Sequence, residues 1–222
     1  MKTDNSQKRK PKTDIKFNLT LDADQKEAKK IILERPINIV LGKPGTGKTL
    51  LSVQIALDLL FNRKINKIVI TRPTISTEDN GFLPGTIEEK MDPWIVPLRD
   101  NMFKLCGEDK IKTLEVKRDI EIVPLSYFRG RTFERAVCVV DEFENLTEEQ
   151  FEMCLGRLGK ESIMIFCGDF GQCDLKKTKN PFQIMNAILT SNQVNKIELR
   201  VNHRHPVLEE LFNILDQYKN GN

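Results

Sequence analysis

This sequence has few cysteines, no long apolar run and only a small net charge, and each shortage narrows the kind of protein it encodes. Its five cysteines are odd in number and form no Cys-x-x-Cys pair, which disfavours a disulfide framework and indicates a reducing compartment. No apolar run approaches the roughly 20 residues needed to span a bilayer, and the polar start of the chain does not resemble a signal peptide. We therefore expect a cytoplasmic protein without membrane contact. A net charge of +3 neither requires nor excludes a polyanionic partner.

The length of 222 residues and the hydrophobic content of 39% suffice for one α/β domain with a full core. Residues 1–16 are polar and basic, and we predict a disordered tail, either a solvated arm or one that contacts nucleic acid. Residues 17–222 then form a single domain, because neither an internal repeat nor a long flexible linker divides them.

Apolar segments and helical patterns alternate along this domain. Six short segments are rich in Ile and Val on both faces, which is typical of strands in a parallel sheet that is covered on both sides. The strand candidates are 37–41, 67–71, 120–125, 136–140, 162–167 and 194–199. The helical candidates are about 24–34, 48–62, 86–105, 147–158, 181–190 and 206–218. The alternation predicts one doubly wound α/β sheet, mostly parallel.

A phosphate-binding loop follows the first strand candidate. The segment Gly42-Lys-Pro-Gly-Thr-Gly-Lys-Thr49 fits the pattern Gly-x-x-x-x-Gly-Lys-[Ser/Thr], with an apolar strand before it and a helical pattern after it. Its glycines let backbone N–H groups turn inward onto phosphate oxygens, Lys48 reaches the β- and γ-phosphates, and the Thr49 hydroxyl can ligate Mg²⁺. The sequence therefore predicts a nucleoside triphosphate site formed by Gly42, Lys43, Pro44, Gly45, Thr46, Gly47, Lys48, Thr49 and Leu50.

Two carboxylates end another strand candidate. Asp141 and Glu142 follow an apolar run, and the carboxyl ends of parallel strands are where α/β folds bind ligands. Such pairs also serve as helix caps, but a P-loop upstream favours a catalytic role. We predict that Asp141 holds Mg²⁺ and that Glu142 orients and deprotonates the attacking water. This favours hydrolysis over phosphotransfer to another acceptor.

Two further strand ends carry groups suited to phosphate. Gln172, in Gly168-Asp-Phe-Gly-Gln172, can touch both the γ-phosphate and the attacking water, although an ordinary turn after a strand is the alternative. Thr71, Arg72 and Pro73 present a guanidinium on a fixed loop. Such a group suits a phosphate or a nucleic-acid backbone, and a plain salt bridge equally well.

These four stretches, in this order, resemble the PhoH-like family, the single-domain relatives of the superfamily 1 helicase motor. Peptides typical of that family reinforce the resemblance over about residues 20–215: Thr71-Arg-Pro-Thr74, Gly81-Phe-Leu-Pro-Gly85, Glu89-Lys-Met-Asp-Pro93, Tyr127-Phe-Arg-Gly-Arg-Thr132 and Arg204-His-Pro206. The resemblance implies a RecA-like core that binds and hydrolyses ATP with Mg²⁺ and acts on RNA or DNA, and the compact length is similar to that of bacteriophage members. In such a core the strand ending at Cys167 lies between the P-loop strand and the strand ending at Val140. Gln172 then lies between Lys48 and Glu142.

The helicase resemblance also assigns two residues outside these stretches. Leu21-Asp-Ala-Asp-Gln25 is similar to the motif whose glutamine reads the adenine edge, a role that falls on Gln25; the alternative is a polar residue in the first turn of a capped helix. Asn202-His-Arg204 is similar to the start of the second motor domain, where the arginine reaches the γ-phosphate across the domain cleft. Because a single core cannot close on itself, we expect a neighbouring copy to supply Arg204 in trans. By analogy with RecA-like rings, this homo-oligomer is expected to be a hexamer.

The remaining candidates and the function stay open between alternatives. Arg129 and Arg131, on either side of Gly130, contact nucleic-acid phosphates or a nucleotide, or else make ordinary salt bridges. His203 and His205 lack the cysteine and carboxylate neighbours of a metal site. The preferred function is a nucleic-acid-linked ATPase with helicase-like motor activity; the alternative is an ATP-binding assembly or regulatory subunit without unwinding activity. A guanine-nucleotide switch is disfavoured because the chain has no Asn-Lys-x-Asp motif.

Overall fold

A six-stranded sheet, in which every pairing is parallel, forms the centre of the structure. The computed structural model describes residues 17–73, 87–169, 181–204 and 206–220. The strands are β1 (Ile37–Leu41), β2 (Lys67–Thr71), β3 (Ile120–Ile122), β4 (Ala136–Asp141), β5 (Ile163–Gly168) and β6 (Val194–Glu198). Their order across the sheet is β3-β2-β4-β5-β1-β6.

Helices cover both faces of the sheet. The described residues form α1 (Ala23–Ile32), α2 (Lys48–Phe61), α3 (Ile87–Cys106), α4 (Glu108–Val116), α5 (Glu148–Leu155), α6 (Phe182–Ile188) and α7 (Pro206–Asn220). One hydrophobic core joins the sheet to α1, α2, α3 and α4, and a second joins it to α5 and α6. Successive residues of a strand pack into opposite cores, as Val40 and Ile39 of β1 do, because side chains alternate between the two faces of a strand. The sheet is therefore covered on both sides, as its apolar strands require.

The predicted fold class is confirmed, and β5 lies between β1 and β4 as expected. Five strands begin and end within one residue of the prediction. β3 is shorter, ending at Ile122, because the chain turns at Pro124 into a 3₁₀ helix, Leu125–Phe128. α4, which Gly107 (φ +85°) separates from α3, is not among the helices predicted from the sequence. The predicted tail, residues 1–16, lies outside the described residues.

Cys138, Cys154 and Cys167 are buried as free thiols, and Cys138 and Cys167 lie in apolar runs. Within the described ranges, none of the helices is long and apolar enough to cross a membrane.

Strand register gathers the predicted site residues at one edge of the sheet. Leu41 of β1 lies opposite Gly168 of β5, and Thr71 of β2 lies opposite Val140 of β4. Asp141 lies opposite Cys167. The carboxyl ends of β2, β4, β5 and β1 therefore lie side by side at one edge of the sheet.

Candidate nucleotide-binding site

The loop between β1 and α2 has the backbone of a phosphate cradle. Gly45 (φ +91°) and Gly47 (φ +79°) adopt left-handed conformations, which glycine reaches without steric cost. Space is restricted as well, since a Cβ at Gly45 would lie 2.6 Å from Cγ of Arg204 and one at Gly47 would lie 2.7 Å from Nε2 of Gln25. Conformation thus favours glycine at both positions, and packing against Arg204 adds to this at Gly45.

The start of α2 faces this loop without a side-chain cap. Gly47 occupies the N-cap position and contributes no side-chain hydrogen bond, so the first N–H groups of the helix are open to an anion. The Lys48 ammonium folds over the loop, donating to the carbonyl oxygens of Gly42 (2.5 Å) and Lys43 (3.2 Å). A phosphate placed here would meet both the helix N-terminus and this ammonium group.

The P-loop helix and the carboxylate that ends β4 meet directly. The Thr49 hydroxyl donates a hydrogen bond of 2.6 Å to Oδ1 of Asp141. Burial raises the pKa of Asp141, and the Thr49 hydrogen bond and the Arg72 charge oppose that rise. Two hard oxygen atoms in contact suit Mg²⁺, which uses one or two protein ligands and completes its shell with phosphate oxygens and water. In the described part of the chain no group of three or more His, Cys, Asp or Glu side chains could hold a metal ion by itself.

Glu142 pairs with the arginine that follows the neighbouring strand. Nε of Arg72 donates to Oε2 of Glu142 at 2.7 Å, and Nη2 of Arg72 donates to Oε1. The backbone of Glu142 is left-handed (φ 52°, ψ 45°), an uncommon conformation for a residue with a side chain. Both predicted residues therefore lie at the site, but they contact each other.

Glu144 is a site residue that the sequence analysis missed. It lies in the buried 3₁₀ helix Phe143–Asn145, lines the same cleft, and leaves so little room that a Cβ at Gly168 would come 2.3 Å from its Oε2. Burial raises the pKa of Glu144 to about 7. The signal in the sequence was the second acidic residue of Asp141-Glu-Phe-Glu144, which is easily taken for a surface position.

The segment before α7 covers the P-loop of its own chain. The backbone N–H of His203 donates to the carbonyl of Gly45 at 2.9 Å, and the N–H of Arg204 donates to Oδ1 of Asn202 at 2.8 Å. Arg204 thereby lines the same cleft as Lys48. From the sequence, a neighbouring copy is expected to supply this arginine, whereas in the structure the arginine of the same chain lines the cleft.

Gln25 takes the capping role that was one of the two alternatives left open by the sequence. It closes a capping box with Asp22 at the start of α1, and it is buried. Its amide nitrogen lies 3.4 Å from the carbonyl of Thr46 and 3.2 Å from Nε2 of His203, which in turn lies 2.8 Å from Oδ2 of Asp22. The glutamine therefore joins α1 to the P-loop, and its contact with adenine stays a prediction.

The remaining candidates are placed as follows. Thr71 and Pro73 are buried, whereas Arg129 is exposed beside Gly130, whose missing Cβ would face open space. Arg131 donates to Oε2 of Glu121 at 2.5 Å and lies over the ring of Phe133, so it makes the salt bridge that was the alternative. Gln172 and His205 lie outside the described residues.

Seven predicted residues share one cleft of about 220 Å³: Pro44, Lys48, Thr49, Arg72, Asp141, Glu142 and Arg204. This cleft and the parallel sheet define a P-loop domain of the RecA-like class found in helicase cores. A solved structure with the same fold is the Pif1 helicase from Candida albicans, with a TM-score of 0.50, 17% identity, and coverage of 92% of this chain and 45% of that chain.

The family follows from sequence comparison. The model of the PhoH-like protein family matches residues 19–216, and the chain belongs to this family. The PhoH-like protein of Bacillus subtilis is 40% identical over 182 residues, 80% of this chain and 57% of that protein. The PhoH-like protein of Synechocystis is 34% identical over 207 residues, 88% of this chain and 61% of that protein. Protein PhoH of Escherichia coli is 38% identical over 152 residues, 67% of this chain and 43% of that protein. The chain thus spans about half the length of these relatives.

Proposed function

We propose that this protein binds ATP with Mg²⁺ and hydrolyses it under the control of a bound nucleic acid. The observation that carries the proposal is the 2.6 Å contact between Thr49 and Asp141, which joins the P-loop to the carboxylates at the end of β4. Phosphate-binding groups, a pair of cation ligands and a candidate base thereby share one cleft.

Each side chain has a role in this reaction. Lys48 and the first N–H groups of α2 bind the β- and γ-phosphates, and Thr49 and Asp141 would hold Mg²⁺. The cation would neutralise charge on the phosphate oxygens. Glu142 orients a water molecule and accepts its proton, while Arg204 offsets the charge that develops on the transferring phosphoryl group. Gln172 is proposed, from the sequence alone, to orient the same water.

Nucleic acid is the proposed regulator because cationic groups lie along the same edge of the sheet. Arg72 keeps part of its side chain exposed at the end of β2, and Arg129 is exposed after β3. The open space beside Gly130 lets a backbone approach closely. The similarity to a helicase adds support at the level of the fold. RNA and DNA are both compatible with these groups.

Self-association is proposed for α7. Its exposed apolar side chains recur at helical spacing and form one stripe, namely Val207, Leu211, Ile214, Leu215 and Tyr218. A stripe of this kind on a soluble protein marks an interaction surface. A second copy is the occupant that we propose, and a hexameric ring is the expected size. Arg204 serves its own cleft in this arrangement, because the hydrogen bond from His203 to Gly45 holds its segment against the P-loop of the same chain.

An ATP-binding regulatory subunit is the second candidate. Both carboxylate oxygens of Glu142 accept hydrogen bonds from Arg72, so the candidate base is engaged. A protein that kept this pair closed would bind ATP without turning it over.

ATPase assays separate these functions. Phosphate release would be measured with Mg²⁺ and ATP, alone and with RNA, single-stranded DNA or duplex DNA, for the natural chain and for Lys48→Ala. We expect turnover that needs Mg²⁺, rises with at least one polymer and is lost in Lys48→Ala, which removes a phosphate ligand. Binding of ATP without turnover under every condition would support the regulatory subunit instead.

A further inference from the structure

Arg72 holds Glu142, the base that the proposed hydrolysis needs, in an ion pair. Two guanidinium nitrogens of Arg72 donate to the two carboxylate oxygens of Glu142, and the hydrogen bond from Nε to Oε2 is 2.7 Å long. An oxygen engaged in this way cannot take a proton from water until the hydrogen bond opens. As long as the pair stays closed, Glu142 is withheld from the attacking water.

The fold holds this pair in place. β2 and β4 are neighbours, and the register of Thr71 opposite Val140 brings the two following loops together. Glu142 has a left-handed backbone, and the residues after it form the buried 3₁₀ helix Phe143–Asn145. A non-glycine residue keeps such a conformation only where its surroundings fix it. The contact is thus a built feature of the edge of the sheet.

A phosphate is the ligand that can open the pair. The guanidinium fork binds phosphate with the same two-point geometry that it uses for a carboxylate. Arg72 is partly exposed, with 21% of its side-chain surface accessible. The triphosphate has Lys48 and the start of α2 as its ligands, whereas β2, which Arg72 follows, is paired with β3, and the exposed Arg129 lies after β3. A nucleic-acid backbone along this part of the sheet edge is therefore the phosphate source that we assign to Arg72.

We infer that Arg72 couples nucleic-acid binding to hydrolysis, because a backbone phosphate takes over its guanidinium and releases Glu142. This inference rests on the proposed function. Once released, Glu142 accepts a proton from water, the water oxygen bonds to the γ-phosphorus, and the bond from that phosphorus to the β–γ bridging oxygen breaks. The products are ADP and inorganic phosphate, and Glu142 later returns its proton to solvent. Arg72 is a positioning residue in this scheme, since it acts through Glu142.

ATPase rates of Arg72 variants test the coupling. Rates would be measured at saturating Mg²⁺ and ATP, with and without single-stranded RNA or DNA, for the natural chain, Arg72→Ala, Arg72→Lys and the control Arg118→Ala. Arg118 is exposed and precedes β3, at the opposite edge of the sheet. We expect Arg72→Ala to raise the polymer-free rate at least about fivefold and to remove stimulation by the polymer. Arg72→Lys should fall between, because lysine cannot hold both oxygens, and Arg118→Ala should behave as the natural chain.

Other outcomes overturn the inference in distinguishable ways. A polymer-free rate in Arg72→Ala that is unchanged or lower, while the natural chain is stimulated, means that Arg72 does not restrain Glu142. A raised rate in Arg72→Ala with no stimulation of the natural chain by any polymer overturns the release by nucleic acid. Absence of turnover from every protein contradicts the proposed function itself, and the inference with it.

Affinity for nucleic acid gives a readout independent of turnover. If a phosphate and Glu142 compete for Arg72, weakening the carboxylate must strengthen polymer binding, because coupling between sites is reciprocal. Glu142→Gln should therefore bind a fluorescent single-stranded oligonucleotide more tightly than the natural chain, in anisotropy titrations without nucleotide. Adding Arg72→Ala to that variant should remove the gain. Equal affinities of the natural chain and Glu142→Gln would overturn the competition.

Discussion

Replacing Glu142 with glutamine should abolish turnover while leaving the fold and ATP binding intact. The amide has the size of the carboxyl group but cannot accept a proton from the attacking water. Loss of a general base costs about 10²–10⁴-fold in rate, which corresponds to roughly 3–5 kcal/mol of barrier. The stability cost is far smaller, because 36% of the Glu142 side chain and 21% of the Arg72 side chain are exposed. Partly exposed ion pairs contribute up to about 1 kcal/mol, or roughly 2–4 °C in melting temperature for a chain of this size.

The measurement is the maximal ATPase rate at saturating ATP and saturating nucleic acid, together with the dissociation constant of a fluorescent ATP analogue. Glu161→Gln is the matched control, since this exposed carboxylate precedes β5 at the opposite edge of the sheet. Glu142→Gln should lose at least about 100-fold in maximal rate with an unchanged dissociation constant, and Glu161→Gln should lose neither. Loss of ATP affinity equal to the loss of rate would refute the assignment of Glu142 as the base and give it a structural role.

Three further predictions concern other parts of the cleft and the last helix. Burial raises the pKa of Glu144 to about 7 from 4.5, so the stability that its proton provides is full below about pH 4.5 and is lost as the pH rises through 7. Glu144→Gln should therefore raise the free energy of unfolding at pH 8.5 by up to about 3 kcal/mol, seen as a higher melting temperature, and change it little at pH 4.5. Equal changes in melting temperature at both pH values would contradict this. Arg204→Ala and Lys48→Ala should each be nearly inactive, and mixing them should restore nothing, because the arginine lies at its own cleft; recovery on mixing would show action in trans. Leu211→Glu combined with Ile214→Glu should lower the mass measured by light scattering, whereas an exposed polar position of α7 changed in the same way should not; an unchanged mass would contradict self-association through α7.

Features that depend on neighbours along the chain were predictable. The P-loop, the bounds of β1 and β2, and the carboxylates that end β4 follow from short patterns of glycine, apolar and acidic residues. α4 was missed because Gly107 and a weakly amphipathic, highly charged segment resemble a loop. The adjacency of β5 to β1 came from the family resemblance, since periodicity alone does not order strands.

Features that depend on contacts between distant residues were not predictable. Arg72 was left open between a phosphate and a salt bridge, and Glu142 was assigned to water, but nothing in either peptide indicates that they bind each other. Arg131 shows the same limit, because its partner Glu121 lies on β3, ten residues earlier. Glu144 required knowledge of burial, which a single acidic residue in a turn does not reveal.

Asp141 and Glu142 are adjacent in the chain, yet their different surroundings suit them to different proposed roles. In a strand, successive side chains point to opposite faces, so a continued strand would carry Glu142 away from the cleft that Asp141 lines. The left-handed backbone at Glu142 turns the chain at this point, and both carboxylates line the same cleft. Asp141 is buried against Thr49, where a cation can replace the hydroxyl hydrogen bond, whereas Glu142 is partly exposed, where it can exchange protons with water once Arg72 releases it. Pairs of carboxylates in contrasting environments are how active sites assign separate roles to the same functional group. The left-handed turn at Glu142, directly after β4, is therefore the feature that brings both carboxylates to the proposed hydrolytic site.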